Sequence, residues 1–217
     1  MKNITNLIYV ASLGILTTIQ SAAQIAEGIA FGLKGGVNQN STTIVKKPRN
    51  LSLTLTGIGN EDGFQAGGWA TIRLNRWLFI DNDLYFLRRG NRYEDPFHKE
   101  IVFAINKYNY IGLGSRMGIT YKGIFASVGP ELNFLISDKT KMLGAEELQK
   151  LEFGINGRLG YQYKWVRAEV FYSRSLSPYD LRIVHSIPEK PRYLFMSRSI
   201  GVSVGIMLFK SKKASKP

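Results

Sequence analysis

The stretch "ASVGPELNFLIS", Ala126 to Ser137, alternates like a β-strand but divides its residues oddly. Ala126, Val128, Pro130, Leu132, Phe134 and Ile136 share one face, because strand side chains alternate with a period of two. Ser127, Gly129, Glu131, Asn133 and Leu135 share the other. In a soluble sheet the apolar face is the core and Glu131 and Asn133 are wet. In a small barrel lying in lipid the apolar face meets hydrocarbon, and Glu131 and Asn133 fill the interior. Pro130 cannot donate to a ladder, so a bulge or locally broken pairing is expected beside Gly129.

Seven other segments decide between the two arrangements. Period-two alternation recurs over Ile29–Asn38, Phe64–Leu74, Leu78–Arg88, Tyr108–Tyr121, Leu151–Tyr163, Val166–Leu176 and Arg198–Phe209, with Ile124–Ile136 as the fifth in order. Each has roughly the ten residues that a tilted strand needs to cross a bilayer. Three connections are tight, around "NRW" (75–77), "KG" (122–123) and "KW" (164–165); the others, 39–63, 89–107, 137–150 and 177–197, are long. Tight and long connections alternate strictly, so all the tight turns fall at one end of the sheet. Transmembrane barrels have this asymmetry, with short periplasmic turns and long outer loops.

The two faces differ in charge. The face carrying Phe31, Leu33, Leu84, Met117, Leu132, Leu159, Val170 and Val204 has charge only near strand ends, at Arg88, Arg174 and Arg198, with Asn82 and Ser115 as polar exceptions. The opposite face holds Lys34, Arg73, Arg116, Arg158 and Arg167 as bases, and Asp81, Asp83, Glu131, Glu152 and Glu169 as acids. Five bases against five acids is the balance that an ion-pair network in a narrow lumen requires, because an unpaired buried charge costs several kcal/mol. A soluble barrel with an apolar core would show the reverse. The expected fold is therefore all-β: an eight-stranded antiparallel up-and-down transmembrane β-barrel. Closure is demanded physically, since an open sheet edge in lipid would strand backbone donors and acceptors.

The ends of the chain read differently. Lys2, the apolar run "LIYVASLGILTTI" and the small residues Ser21 and Ala23 make 1–23 a signal peptide, with 24–209 as the barrel and 210–217 as a basic tail. The apolar run is too short for a spanning helix. The chain has no Cys, which excludes disulfides, thiolate metal sites and lipoprotein acylation.

The formal charge is +13 over 217 residues, which points to an anionic partner. With the lumen balanced, the excess falls on loops, turns and tail. Lys46, Lys47, Arg49, Arg88, Arg89 and Arg92 stand in or beside the first two long loops, with Arg182, Lys190 and Arg192 in the fourth. Basic side chains at that depth would meet the phosphates of outer-membrane lipid and lipopolysaccharide. Nucleic acid is not an expected partner, because the lysine tail has no stacking aromatics. Neither a cofactor nor a metal is expected. His98 and His185 are the only histidines and lie in separate loops, too little for a metal site, and "VHS" (184–186) alone does not make a triad. An enzyme is not expected.

The series "FGLKGGVNQN", "GFQAGGWATIRLNRWLFIDNDLYFLRRG", "YNYIGLGSRMGITYKGIFASVGPELNFLIS", "FGINGRLGYQYKW" and "SIGVSVGIMLF" resembles the PorT-like outer-membrane β-barrel family of Gram-negative bacteria over essentially the whole chain after residue 23. The resemblance implies an eight-stranded barrel similar in size to OmpA or OmpX barrels. It implies little about activity, although one branch of the family serves in type IX protein secretion. The chain departs from the usual ending of such barrels, since "KSKKASKP" follows Phe209. The resulting expectation is an outer-membrane barrel with a structural or interaction role through its basic loops, meeting lipid, lipopolysaccharide or other envelope proteins. The rival expectations are a secretion-machine subunit and a secreted soluble barrel for a small apolar ligand.

Overall fold

The computed structural model describes residues 28–46, 57–95, 97–98, 100–139, 147–178, 180–183 and 192–211. The expected signal peptide, 1–23, and residues 212–217 of the expected tail lie outside them. Eight long strands build the fold: β1 (Gly28–Lys46), β2 (Glu61–Arg73), β3 (Leu78–Glu94), β4 (Val102–Tyr121), β5 (Ile124–Lys139), β6 (Leu151–Tyr163), β7 (Val166–Ser175) and β8 (Arg192–Lys210). Each pairs antiparallel with its chain neighbour, and β8 pairs back onto β1 from Ala30↔Lys210 to Lys46↔Leu194. The sheet is thus a closed ring. Three short strands, Gly57–Gly59, Glu147–Leu148 and Asp180–Ile183, add to it at the loop end.

The tight-turn end follows the sequence pattern closely. In the Lys122–Gly123 turn both residues have positive φ, 48° and 89°, as a two-residue hairpin turn twisted with its strands requires. Asn75 caps another turn, its side-chain oxygen accepting from the backbone N–H groups of Trp77 (2.7 Å) and Leu78 (2.8 Å). At the loop end the strands run on beyond the expected limits, β1 to Lys46, β3 to Glu94, and β4 and β8 from Val102 and Arg192. There both faces of the wall lose the apolar alternation, so pattern alone stops short.

The exterior carries an apolar belt. Leu33, Val37, Leu84, Met117, Ile119, Val128, Leu159, Val170, Val202 and Val204 are all exposed, Leu159 to 59%. Ile200 to Leu208 on β8 rise roughly 26 Å along the strand, about 20 Å after a tilt of roughly 40°. Aromatic rings flank the belt. Trp77 stacks on Tyr121 (centroids 5.2 Å apart) and Phe31 on Phe209 (5.2 Å) at the turn end, and Phe64 leans on Phe86 (5.6 Å) nearer the loops. Tyr108, whose sequence position suggests the same outer girdle, points inward and is buried, because even-numbered positions of β4 face the lumen.

Pro130 lies on the exposed face of β5 and Glu131 is buried, 1% exposed. The β4–β5 ladder has the rungs Gly114↔Glu131 and Met117↔Val128 but none between them, and the register is the same on both sides. The pairing is therefore interrupted without a bulge, where Pro130 has no N–H to offer. A Cβ on Gly129 would collide with the Ser115 carbonyl oxygen and stand 2.7 Å from Arg116 Cα, so only glycine lets the two backbones approach this closely.

Candidate functional site: a charged lumen and its two ends

The barrel interior is filled by side chains. Its charged residues fall into two groups. Nearer the loops, Arg89 reaches Glu131 (3.0 Å) and Glu152, and donates to Ser173 (2.9 Å) and Ser197 (3.2 Å). Tyr85 Oη (3.1 Å) and the Asn133 amide (3.2 Å) also donate to Glu131, and Ser173 Oγ completes its shell. Nearer the turns, Asp83 is held by Lys34 (2.6 Å), Arg116 (2.6 Å) and Arg158 (3.0 Å). Glu169 is held by Lys34 (3.3 Å), Arg158, Arg167 (3.0 Å) and Ser203 (2.8 Å); Asp81 by Arg167 and Thr71. Asn156 accepts from Arg158 Nε (2.9 Å), tying the guanidinium to the wall.

Nine of the ten residues expected in the lumen network are brought together here: Lys34, Asp81, Asp83, Arg116, Glu131, Glu152, Arg158, Arg167 and Glu169. The tenth, Arg73, is not. It sits at the last position of β2, lines the open turn-end mouth and has no ion pair among the described residues. Its inward parity is right, but a side chain at the rim reaches water more easily than a carboxylate. Arg89, expected on the lipopolysaccharide side, takes the tenth place. β3 continues past Arg88, the next residue turns inward, and Arg89 is buried, only 3% exposed. The exchange keeps the balance of the network, since five bases and five acids take part in it.

Aromatic residues complete the plug, and their inward placement is not signalled by charge patterning. Arg167 is sandwiched between the rings of Phe125 (4.0 Å) and Trp69 (5.1 Å), and Phe125 meets Phe79 edge-on with centroids 6.2 Å apart. Toward the loops, Tyr85, Leu87, Tyr93, Tyr110, Phe171 and Phe195 are all buried. A charged middle and aromatic layers beside it fill the lumen with side chains, as the width of eight strands dictates.

The other residues expected to face lipopolysaccharide are more dispersed. Arg88 lies on the outer wall just above the belt, its Nε donating to Asn109 (3.1 Å) and its guanidinium 5.1 Å from the Phe64 ring. Arg92 is engaged by Glu61 (3.3 Å) and more distantly by Glu94 (3.9 Å). Lys46 ends β1, while Lys47 and Arg49 lie outside the described residues. Two cations omitted from that expected set stand beside the belt: Arg174 and Arg198 are ladder partners and both exposed on the outer wall. Outward parity at the limit of an apolar run is the signal that finds them. His98 is exposed beside Asp95 (Nδ1–Oδ1 3.8 Å), and His185 lies outside the described residues.

The architecture recurs in solved proteins. Neisserial surface protein A (NspA) superposes with a TM-score of 0.52 at 13% identity, over 81% of this chain and 96% of that one. The outer membrane protein OprG from Pseudomonas aeruginosa gives 0.50 at 11% identity, over 86% and 97%. No family model matches the sequence, and no curated protein does. At such identities the likeness speaks for the fold: the chain is an all-β, eight-stranded antiparallel barrel of the architecture those proteins share.

Proposed function

We propose that this chain is an integral outer-membrane barrel with a closed interior, serving as a membrane-embedded platform whose loop-end wall meets lipopolysaccharide. One observation carries the reading. The continuous exposed surface is apolar while the charge is inside and paired, an inversion that water penalises and lipid rewards. Arg88, Arg174 and Arg198 stand on the outer wall where the belt ends, at the depth of a lipid headgroup. Guanidinium groups there suit phosphates bidentately. Lys46, Lys47 and Arg49 extend the basic surface in sequence toward the first long loop.

The sealed lumen argues against a general diffusion pore, and the apolar exterior against a soluble carrier of a small apolar ligand. The PorT-like sequence resemblance keeps a place in a type IX-like secretion machine as the second reading, favoured by the long strand extensions at the loop end, which offer a wall to other envelope proteins. Fractionation tests the first reading. The chain should stay with outer membranes, require detergent for release and shift in gel mobility on heating; release by salt or carbonate alone would overturn it. In planar bilayers it should give no large, stable conductance. Co-purification in mild detergent reads the second: recovery of stoichiometric envelope proteins instead of lipopolysaccharide would favour it.

A further inference from the structure

The turn end of the barrel is open where the middle is sealed. A vestibule of about 480 Å³ lies there, floored by Thr71, Phe79, Phe125 and Arg167 and rimmed by Trp77 and Tyr121. Arg73, Arg76, Lys122, Lys164 and Lys210 also line it. None of these five has an ion pair among the described residues. Arg76, Lys122 and Lys164 rest on rings of the aromatic girdle, 5.0 to 5.3 Å from the centroids of Trp77, Tyr121 and Tyr163. The strand ends and turns that build this rim, residues 28–31, 72–79, 119–125, 161–167 and 207–211, contain no Asp or Glu. Glu27, the residue just ahead of β1 in the sequence, supplies a single negative charge, whereas the tail beyond Lys210 supplies Lys212, Lys213 and Lys216.

We propose that this vestibule is a binding site for a compact multivalent phosphate group, such as a diphosphate or a phosphate ester with a small flat body. Two arginine forks and three ammonium groups on long stems around one concavity match several phosphate oxygens at once. Low-dielectric aromatic walls focus the field into the mouth. The volume falls within the range of small-ligand sites and is too small for a folded segment. The phosphate can belong to a soluble molecule or to a lipid headgroup that bends into the mouth. The chemistry is the same, and the source is a matter for experiment. The site is independent of the lipopolysaccharide reading, which concerns the opposite end of the wall.

The test is calorimetric titration of inorganic pyrophosphate into the folded full-length chain, in zwitterionic detergent and in nanodiscs of phosphatidylcholine with or without phosphatidylglycerol. Saturable one-site binding is expected, weakening as salt rises. In the double variant Arg73→Gln/Lys210→Gln it should weaken about tenfold or more. The double variant Lys122→Gln/Lys164→Gln provides a second reading should the first not fold, and Lys150→Gln, an exposed cation at the loop end, should bind like the parent. Pyrophosphate binding in both nanodiscs assigns a soluble source; binding lost only where phosphatidylglycerol is present assigns the headgroup. Absence of saturable binding in detergent, or equal binding by the parent and the folded rim variants, overturns the proposal.

Discussion

The middle of the lumen and its turn-end mouth are lined by the same kinds of residue and have opposite electrostatic solutions. In the middle, Asp83 faces three cations and Glu169 three, and every base is answered within the wall. At the mouth, Arg73, Arg76, Lys122, Lys164 and Lys210 face one another with no acid among the described rim residues. Water is what separates them. A charge without solvent must find its partner in the protein, whereas a charge at the rim is screened within about 8–10 Å and can wait for one. Burial enforces balance, and openness permits excess.

The most severe way to break that contrast is to remove the acid that three bases share. Asp83→Ala leaves Arg116 without a described counter-ion, and Lys34 and Arg158 with Glu169 alone. A loss of about 3–5 kcal/mol is expected, read as a lowered urea midpoint in detergent or lipid. Next comes the outer surface. Leu132→Arg puts a cation on the belt beside Glu131 in sequence, and should cost about 2–4 kcal/mol in a bilayer at mid-depth. If Leu132→Arg folds as well as the parent in bilayers, the assignment of the faces is wrong. The smallest effect belongs to the mouth. Arg73→Gln should change stability by no more than about 0.5 kcal/mol, because a half-exposed cation with no ion pair among the described residues holds nothing in place. A destabilisation comparable to that of Asp83→Ala would show that the mouth is part of the packed interior.

Much of this contrast can be read from the chain, and the places where reading fails share a cause. Leu151–Tyr163 matches a strand boundary for boundary, and Leu78, Tyr121, Ile124 and Val166 are strand ends as expected. All of these but Leu151 border tight turns, which leave the alternation no room to drift. The loop side has no such punctuation. Above the belt the outer face of β3 turns polar, with Arg88, Arg92 and Glu94, so the pattern stops β3 at Arg88 although it continues to Glu94, and Arg89 is assigned to the outside by one residue. Arg73 fails for another reason. Alternation gives the direction in which a side chain points and says nothing of its depth, and two residues of the same parity, Thr71 and Arg73, differ in whether a carboxylate is within reach. The balance of the lumen survives both errors because it is set by burial energy rather than by any one position.

The seam between β1 and β8 has a topological corollary. Eight is an even number, and the ring closes on itself where Ile29 and Ser211 exchange hydrogen bonds, N–H to Oγ at 3.1 Å and N–H to carbonyl at 2.8 Å. Both ends of the barrel polypeptide therefore emerge beside each other at one rim. In the proposed membrane-spanning barrel, a reporter fused after Pro217 is expected in the same compartment as one placed ahead of Gly28, and an epitope inserted between Lys139 and Glu147 in the other. Sidedness of the whole molecule is thus a single binary choice, fixed once for every appendage it could carry.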